Sequence, residues 1–292
     1  MTRRQLLSTS LASTALATAQ APPPQQSFQR PRKGKLKQAV TGGLFGRGTP
    51  FETQCWEARR IGFQGFDLHG PEDFEMLKKY GLVPSMVPGG GGTIPVALNR
   101  VENHDRLEKL MHPLIDVCAA NGCPDLITFS GNRKGQNPAA IPDAEGADNC
   151  VTFLNKMKAH AEDKGVTICM ELLNSKVDHK DYMCDKSAWG IEVCKRVNSP
   201  RVRLLFDIYH MQIMEGDIVR TIRENLQYFA HFHTGGNPGR HEIDDTQELN
   251  YKLVAKTLSE LNFQGFIAHE YSPARGSDPI KCLEYAFDVF DA

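Results

Sequence analysis

The feature that most constrains this chain is a regular alternation that begins near residue 37. Short apolar runs, each of strand length, take turns with amphipathic runs of helix length. The strand candidates are 38–45, 65–70, 82–88, 125–130, 166–174, 202–210, 228–234 and 265–271. The helix candidates are 53–61, 71–80, 103–121, 146–164, 186–197, 217–225, 248–261 and 278–290. Eight strand–helix units over about 255 residues predict an α/β fold, a (β/α)8 TIM barrel. A doubly wound sheet would carry a glycine-rich phosphate loop after its first strand, and residues 41–46 match that pattern poorly. The Gly89–Gly92 run lacks the lysine of a phosphate loop and is expected as a mobile loop over the barrel mouth.

Local signals agree with this alternation. Leu107, Leu110, Leu114 and Val117 recur at helical spacing and are expected to form one buried stripe. Gly62, Gly81, Gly122 and Gly165 each follow a helical run, where a left-handed terminating residue is wanted.

Four of the last strands share a further property. Glu171, Asp207, His233 and Glu270 each stand at the C-terminal end of an apolar run, separated by 36, 26 and 37 residues. Each gap is close to one strand plus one helix. In a parallel barrel the four would meet at one mouth, the end where barrel enzymes place their working groups. Strand alternation pairs Cys169 with Glu171, Leu205 with Asp207, His231 with His233 and Ala268 with Glu270. The first of each pair should fill the barrel and the second reach the mouth. Any one such carboxylate could merely cap the next helix. Four in register point instead to a divalent cation, which would offset the cost of removing three carboxylates from water. The mixed oxygen and imidazole set suits Mn²⁺, Mg²⁺ or Co²⁺, with Zn²⁺ within its range. Carboxylates in that position can also move protons.

The 292-residue chain is 40% hydrophobic and 24% charged, with a formal charge of −1, so nothing in it favours nucleic acid or a charged membrane surface. No apolar stretch reaches the roughly 18–20 residues that span a bilayer. The N-terminus differs from the rest. Arg3 and Arg4 precede a mildly apolar run from Leu6 to Ala19, and Ala17-Thr18-Ala19 offers an A-x-A cleavage site. Residues 1–35 are expected to be a twin-arginine-type signal peptide and a Pro/Gln-rich linker, with export to the periplasm; residues 36–292 would form the catalytic barrel. The eight cysteines show no C-x-x-C pair, which argues against a zinc ribbon or a small disulfide scaffold.

The segments MELLN, FDIYHMQ, HFHTGGNPGRHEID and AHEY, in that order and with GNR at 131–133, resemble the xylose isomerase-like barrel superfamily. Within it they resemble the hydroxypyruvate isomerase-like branch of sugar phosphate isomerases and epimerases. The resemblance implies that Glu171, Asp207, His233 and Glu270 hold one divalent metal ion and that Glu171 and Glu270 form the acid–base pair. It also implies that His210 and Arg240 contact substrate oxygens. In one place the chain departs from the branch. Hydroxypyruvate isomerases proper look to have Gln where this chain has His233, and His there resembles the ketose 3-epimerases.

The expected activity is a metal-dependent isomerisation of a small hydroxy-carbonyl compound through an enediolate, most like that of hydroxypyruvate isomerase. A ketose 3-epimerase is the enzymatic alternative, since both reactions need the same carboxylates. A metal-assisted endonuclease would need more histidines and a basic groove. An exported sugar-binding barrel is the non-enzymatic alternative, and it has no need of two opposed bases. The expected partner is a small-molecule substrate, with no nucleic acid and no membrane after processing; a homo-oligomer stays open. Other residues have simpler expectations. His231 should pack beneath His233, His269 should face the helices, and Trp56 and Trp189 should pack. Lys176 and His179 could reach a substrate carboxylate, and His241 and Glu242 could be loop contacts.

Overall fold

In the computed structural model, described for residues 30–134 and 139–292, eight parallel strands close into one barrel. They are β1 (Lys37–Val40), β2 (Gly65–Asp67), β3 (Val83–Gly91), β4 (Asp125–Thr128), β5 (Thr167–Leu172), β6 (Val202–Asp207), β7 (Phe229–Thr234) and β8 (Phe266–His269). Each strand pairs with the next, and β8 returns to β1, with Val40 opposite His269. The helices are α1 (Phe51–Ile61), α2 (Phe74–Lys79), α3 (His104–Ala120), α4 (Asp143–Lys164), α5 (Ser187–Val197), α6 (Ile208–Met214), α7 (Ile218–Asn225), α8 (Tyr251–Glu260) and α9 (Pro279–Phe290). The TIM-barrel expectation holds, and no helix among the described residues is long and apolar enough to cross a membrane. The proposed signal segment lies outside the described residues up to residue 29. Residues 33–35 bond to Asp291 and Ala292 at the far end of the chain.

Two local expectations change. The stripe of α3 that meets the sheet is Leu107, Met111, Ile115 and Cys118, all fully buried, whereas Leu110 is 45% exposed. The apolar arc of α3 is wide, so several rows of it could have served, and docking on β3 and β4 selects the row one residue beyond the expected one. The glycine run is not a loop over the mouth, because Gly89–Gly91 continues β3. Gly91 lies so close to Thr128 of β4 that a Cβ there would stand 2.3 Å from the Thr128 side chain. Only glycine lets the two backbones approach in this way. The four glycines expected to end helices all have positive φ, as at Gly165, whose N–H bonds back to α4.

Strand alternation sorts the barrel interior as expected. Cys169 and Leu205 pack with Met86 and Ile127 in one inner cluster, and Ala268 packs with Ala39 and Phe266 in another. His231 is fully buried among them. His269 points outward, against Phe63 and Phe290. Trp56 and Trp189 pack, partly buried, against the outer core.

Candidate active site

Register carries the four strand-end residues to one point. Asp207 pairs directly with His233, and Glu171 pairs with Leu205, two residues short of Asp207. Glu270 follows β8, and its N–H bonds the Thr234 carbonyl at 2.9 Å. One donor atom from each of Glu171, Asp207, His233 and Glu270 lies within 4.8 Å of all the others. His233 Nδ1 stands 2.7 Å from Glu270 Oε2, 3.3 Å from Glu171 Oε1 and 3.9 Å from Asp207 Oδ2.

Asp207 has two tasks. The strand expected over 202–210 ends at Asp207, because its Oδ1 accepts the His210 N–H at 3.0 Å and starts α6. Its Oδ2 faces the site and accepts from Arg240 Nη2 at 2.6 Å. Arg240 Nη2 also reaches Glu270 Oε2 at 2.8 Å, so one guanidinium offsets two carboxylates. Arg240 adopts a left-handed φ of 54° and lies over the Tyr209 ring. His210 is fully buried; its Nδ1 meets Asn174 Nδ2 at 2.6 Å, and its Nε2 has no hydrogen-bond partner and faces Asp207. A cleft of about 350 Å³ opens beside these groups, lined by Asp67, His69, Arg240 and Glu270.

The electrostatics fit a cation. Burial pushes the Glu171 carboxyl above its ordinary range, and the nearby Glu270 and Asp207 charges add to this. Burial acts the same way on Glu270, but His233 and Arg240 outweigh it and hold that carboxyl below its range. Burial disfavours a charge on His233, yet Glu270, Asp67 and Glu171 outweigh it and raise its proton affinity. A negative field strong enough to do this draws any cation that fits. His233 Nδ1 is buried, makes no well-directed hydrogen bond and faces three carboxylates. The residues present therefore fit a divalent metal ion, held by three carboxylate oxygens and one imidazole nitrogen.

Beneath the four lies a second polar group, of which sequence reasoning placed His231 and missed Asp67, Ser85 and Asp125. Asp67 at the end of β2 is fully buried, and its Oδ2 accepts from His233 Nε2 at 3.1 Å and from His231 Nε2 at 2.8 Å. Ser85 of β3 donates to Asp67 Oδ1. His231 Nδ1 bonds Asp125 Oδ2 of β4 at 3.0 Å. Asp67, His231 and His233 also bring donor atoms within 4.8 Å of one another, but their spacings are those of hydrogen bonds. Desolvation alone would raise the Asp67 carboxyl, yet His231 and His233 overcome it and keep it ionised. Burial disfavours charge on His231, and Asp67 and Asp125 reverse this, raising it to about 9. The one available signal was a carboxylate ending the apolar run at 65–67, the same cue that marked Asp207.

The remaining candidates lie outside the cluster. Lys176 Nζ is held by the carbonyls of Ile213 and Met214 at 2.9 and 3.0 Å, at the end of α6, rather than facing the mouth. His179 packs edge-on against His210. His241 bonds the Ser272 carbonyl, and Glu242 accepts the Ala274 N–H, so both fix loops. All eight cysteines are free thiols.

A family model described as a xylose isomerase-like TIM barrel matches residues 51–286, and the chain belongs to that family. Among named relatives, a Drosophila melanogaster protein called "Putative hydroxypyruvate isomerase" is 38% identical over 239 residues, covering 78% of this chain and 88% of its own. A Danio rerio protein of the same name is 34% identical over 125 residues, 42% of this chain and 45% of that one. A 2-oxo-tetronate isomerase from Cupriavidus necator is 32% identical over 138 residues, 46% of this chain and 52% of that one. The match thus spans about half the length of the latter two. Among solved structures, an AP endonuclease, family 2, from Brucella melitensis shares the fold with a TM-score of 0.72 at 24% identity, over 86% of this chain and 98% of that one. A D-psicose 3-epimerase does so with a TM-score of 0.69 at 15% identity, over 88% of this chain and 100% of that one.

Proposed function

We propose that this protein is a metal-dependent isomerase that acts on a small α-hydroxy carbonyl compound, in the manner of a hydroxypyruvate isomerase. The observation that carries the reading is the approach of Glu171 and Glu270, from β5 and β8, to the same His233 nitrogen. Two carboxylates at one point, with opposite displacements of proton affinity, suit a pair in which one takes a carbon-bound proton and the other returns it. A divalent ion at the four-residue site would polarise the substrate carbonyl and favour the enediolate. The buried Nε2 of His210 and the guanidinium of Arg240 border the same space and would orient substrate oxygens. Mn²⁺, Mg²⁺ and Co²⁺ are the ions that best suit this donor set. The relatives' names, which describe isomerisation of small 2-oxo acids, support that substrate class.

His233 favours a second reading, ketose 3-epimerisation, in which the proton returns to the carbon it left. Full-length protein loaded with Mn²⁺ and offered hydroxypyruvate, 2-oxo-tetronate and free ketoses in D₂O separates the two. Isomerisation places solvent deuterium on the neighbouring carbon, and epimerisation places it on the original one. Metal-loaded protein that turns over none of these compounds overturns both readings.

Export by the twin-arginine route is proposed on Arg3-Arg4 and the A-x-A at 17–19. Arg3→Lys with Arg4→Lys should keep the protein in the cytoplasm. Its unchanged appearance in a periplasmic fraction would sink the proposal.

A further inference from the structure

We infer that Asp67, backed by Ser85, His231 and Asp125, is the positioning residue that fixes the tautomer and ring orientation of His233 for metal binding. The inference rests on the metal reading above and extends it to residues of β2, β3 and β4 and to His231 of β7.

A neutral imidazole carries one proton, and if Nδ1 is to offer its lone pair to a metal, that proton sits on Nε2, the nitrogen that meets an Asp67 oxygen able to accept it. His233 then bears its proton on Nε2, which Asp67 holds at 3.1 Å, and its Nδ1 lone pair faces Glu171, Asp207 and Glu270. The other tautomer would aim an N–H at the ligand atoms and leave two acceptors in contact on the far side. Asp67 is itself over-determined. Ser85 takes Oδ1, and Oδ2 receives both histidines, so the carboxylate has no freedom to turn. His231 lies between Asp67 and Asp125, its Nε2 2.8 Å from Asp67 Oδ2 and its Nδ1 3.0 Å from Asp125 Oδ2, which fixes it as well. These groups come from β2, β3, β4 and β7, and all are buried. A buried polar network satisfied at every link is rigid, and an imidazole ligand held on its far side by a carboxylate binds metal more tightly.

Two substitutions separate positioning from mere packing. Asp67→Asn keeps a carbonyl oxygen for the two histidines and turns its amide toward Ser85 Oγ, which can accept. Asp67→Leu fills similar space but offers no acceptor. Mn²⁺ affinity of the full chain is measured by chelator competition, with the melting temperature of the metal-free protein recorded alongside. Asp67→Leu should weaken Mn²⁺ binding roughly 10–100-fold, and Asp67→Asn should restore most of that loss. In parallel, ¹⁵N-histidine NMR of wild-type protein with Mg²⁺ should find His233 protonated on Nε2. This spectrum decides the matter if Asp67→Leu fails to fold. Wild-type affinity in folded Asp67→Leu, or His233 protonated on Nδ1 in the Mg²⁺-loaded protein, overturns the inference while leaving the metal site standing. Wild-type protein that binds neither ion overturns the site and the inference together.

Discussion

The two halves of the barrel are built alike and place their polar groups at different depths. Strands β5 to β8 each deliver one of Glu171, Asp207, His233 and Glu270 to the mouth. Strands β2 to β4 deliver none of these, yet they place Asp67, Ser85 and Asp125 one layer lower. The two halves meet at His231 and His233, which lie two residues apart on β7 and turn to the same Asp67 oxygen. A cluster of three carboxylates needs an opposing charge to stay buried. The mouth gains one from Arg240, whereas the lower layer gains one from His231. At the mouth only Glu270 and Arg240 have partly exposed side chains, 25% each, while Glu171, Asp207 and His233 are buried, as are Asp67 and His231.

The sharpest way to break this contrast is to alter the upper layer. Glu171→Gln and Glu270→Gln keep size and one oxygen ligand but remove a base, and each should lower turnover by roughly 10²–10⁴-fold while retaining some metal. Near-normal turnover in metal-loaded Glu270→Gln would refute the paired-carboxylate mechanism. Asp207→Ala and His233→Ala should instead lose most bound metal, which elemental analysis of purified protein checks.

Besides the metal affinity that Asp67 sets, the lower layer should answer in stability. Asp125→Leu leaves one side of a buried imidazolium unpaired, and breaking such a pair costs about 3–5 kcal/mol. Urea unfolding reads this directly, and a loss below about 1 kcal/mol would mean that Asp125 is not part of the support.

A pH series sharpens the same point. The pKa of His231 is raised in the folded protein to about 9, so its contribution is fully present below the unfolded value of roughly 6.5 and is lost as pH rises through about 9. Wild-type protein should therefore lose stability between those limits by more than His231→Phe does. Parallel curves for the two would place the charge elsewhere. The smallest effect is expected outside both layers. Lys176→Ala should leave KM unchanged and cost under about 1 kcal/mol, since among the described residues its ammonium bonds the carbonyls at the end of α6.

What the sequence determined by itself follows from local periodicity. Strand alternation and strand-end position are readable along the chain, so the eight units, the pairing of Cys169 with Glu171 and the outward turn of His269 were legible. The convergence of Glu171, Asp207, His233 and Glu270 was legible too, because a parallel barrel brings consecutive strand ends together. Tertiary structure decided what depends on closure. Asp67 and His231 are 164 residues apart, and no local pattern joins them; only the curvature that brings β2 across to β7 does so. The same holds for α3, where an apolar arc wide enough for several rows is settled by the sheet it meets, and for Gly91, whose missing side chain matters only because Thr128 is beside it. Period and polarity are properties of a segment, but which buried charge finds which partner is a property of the closed barrel.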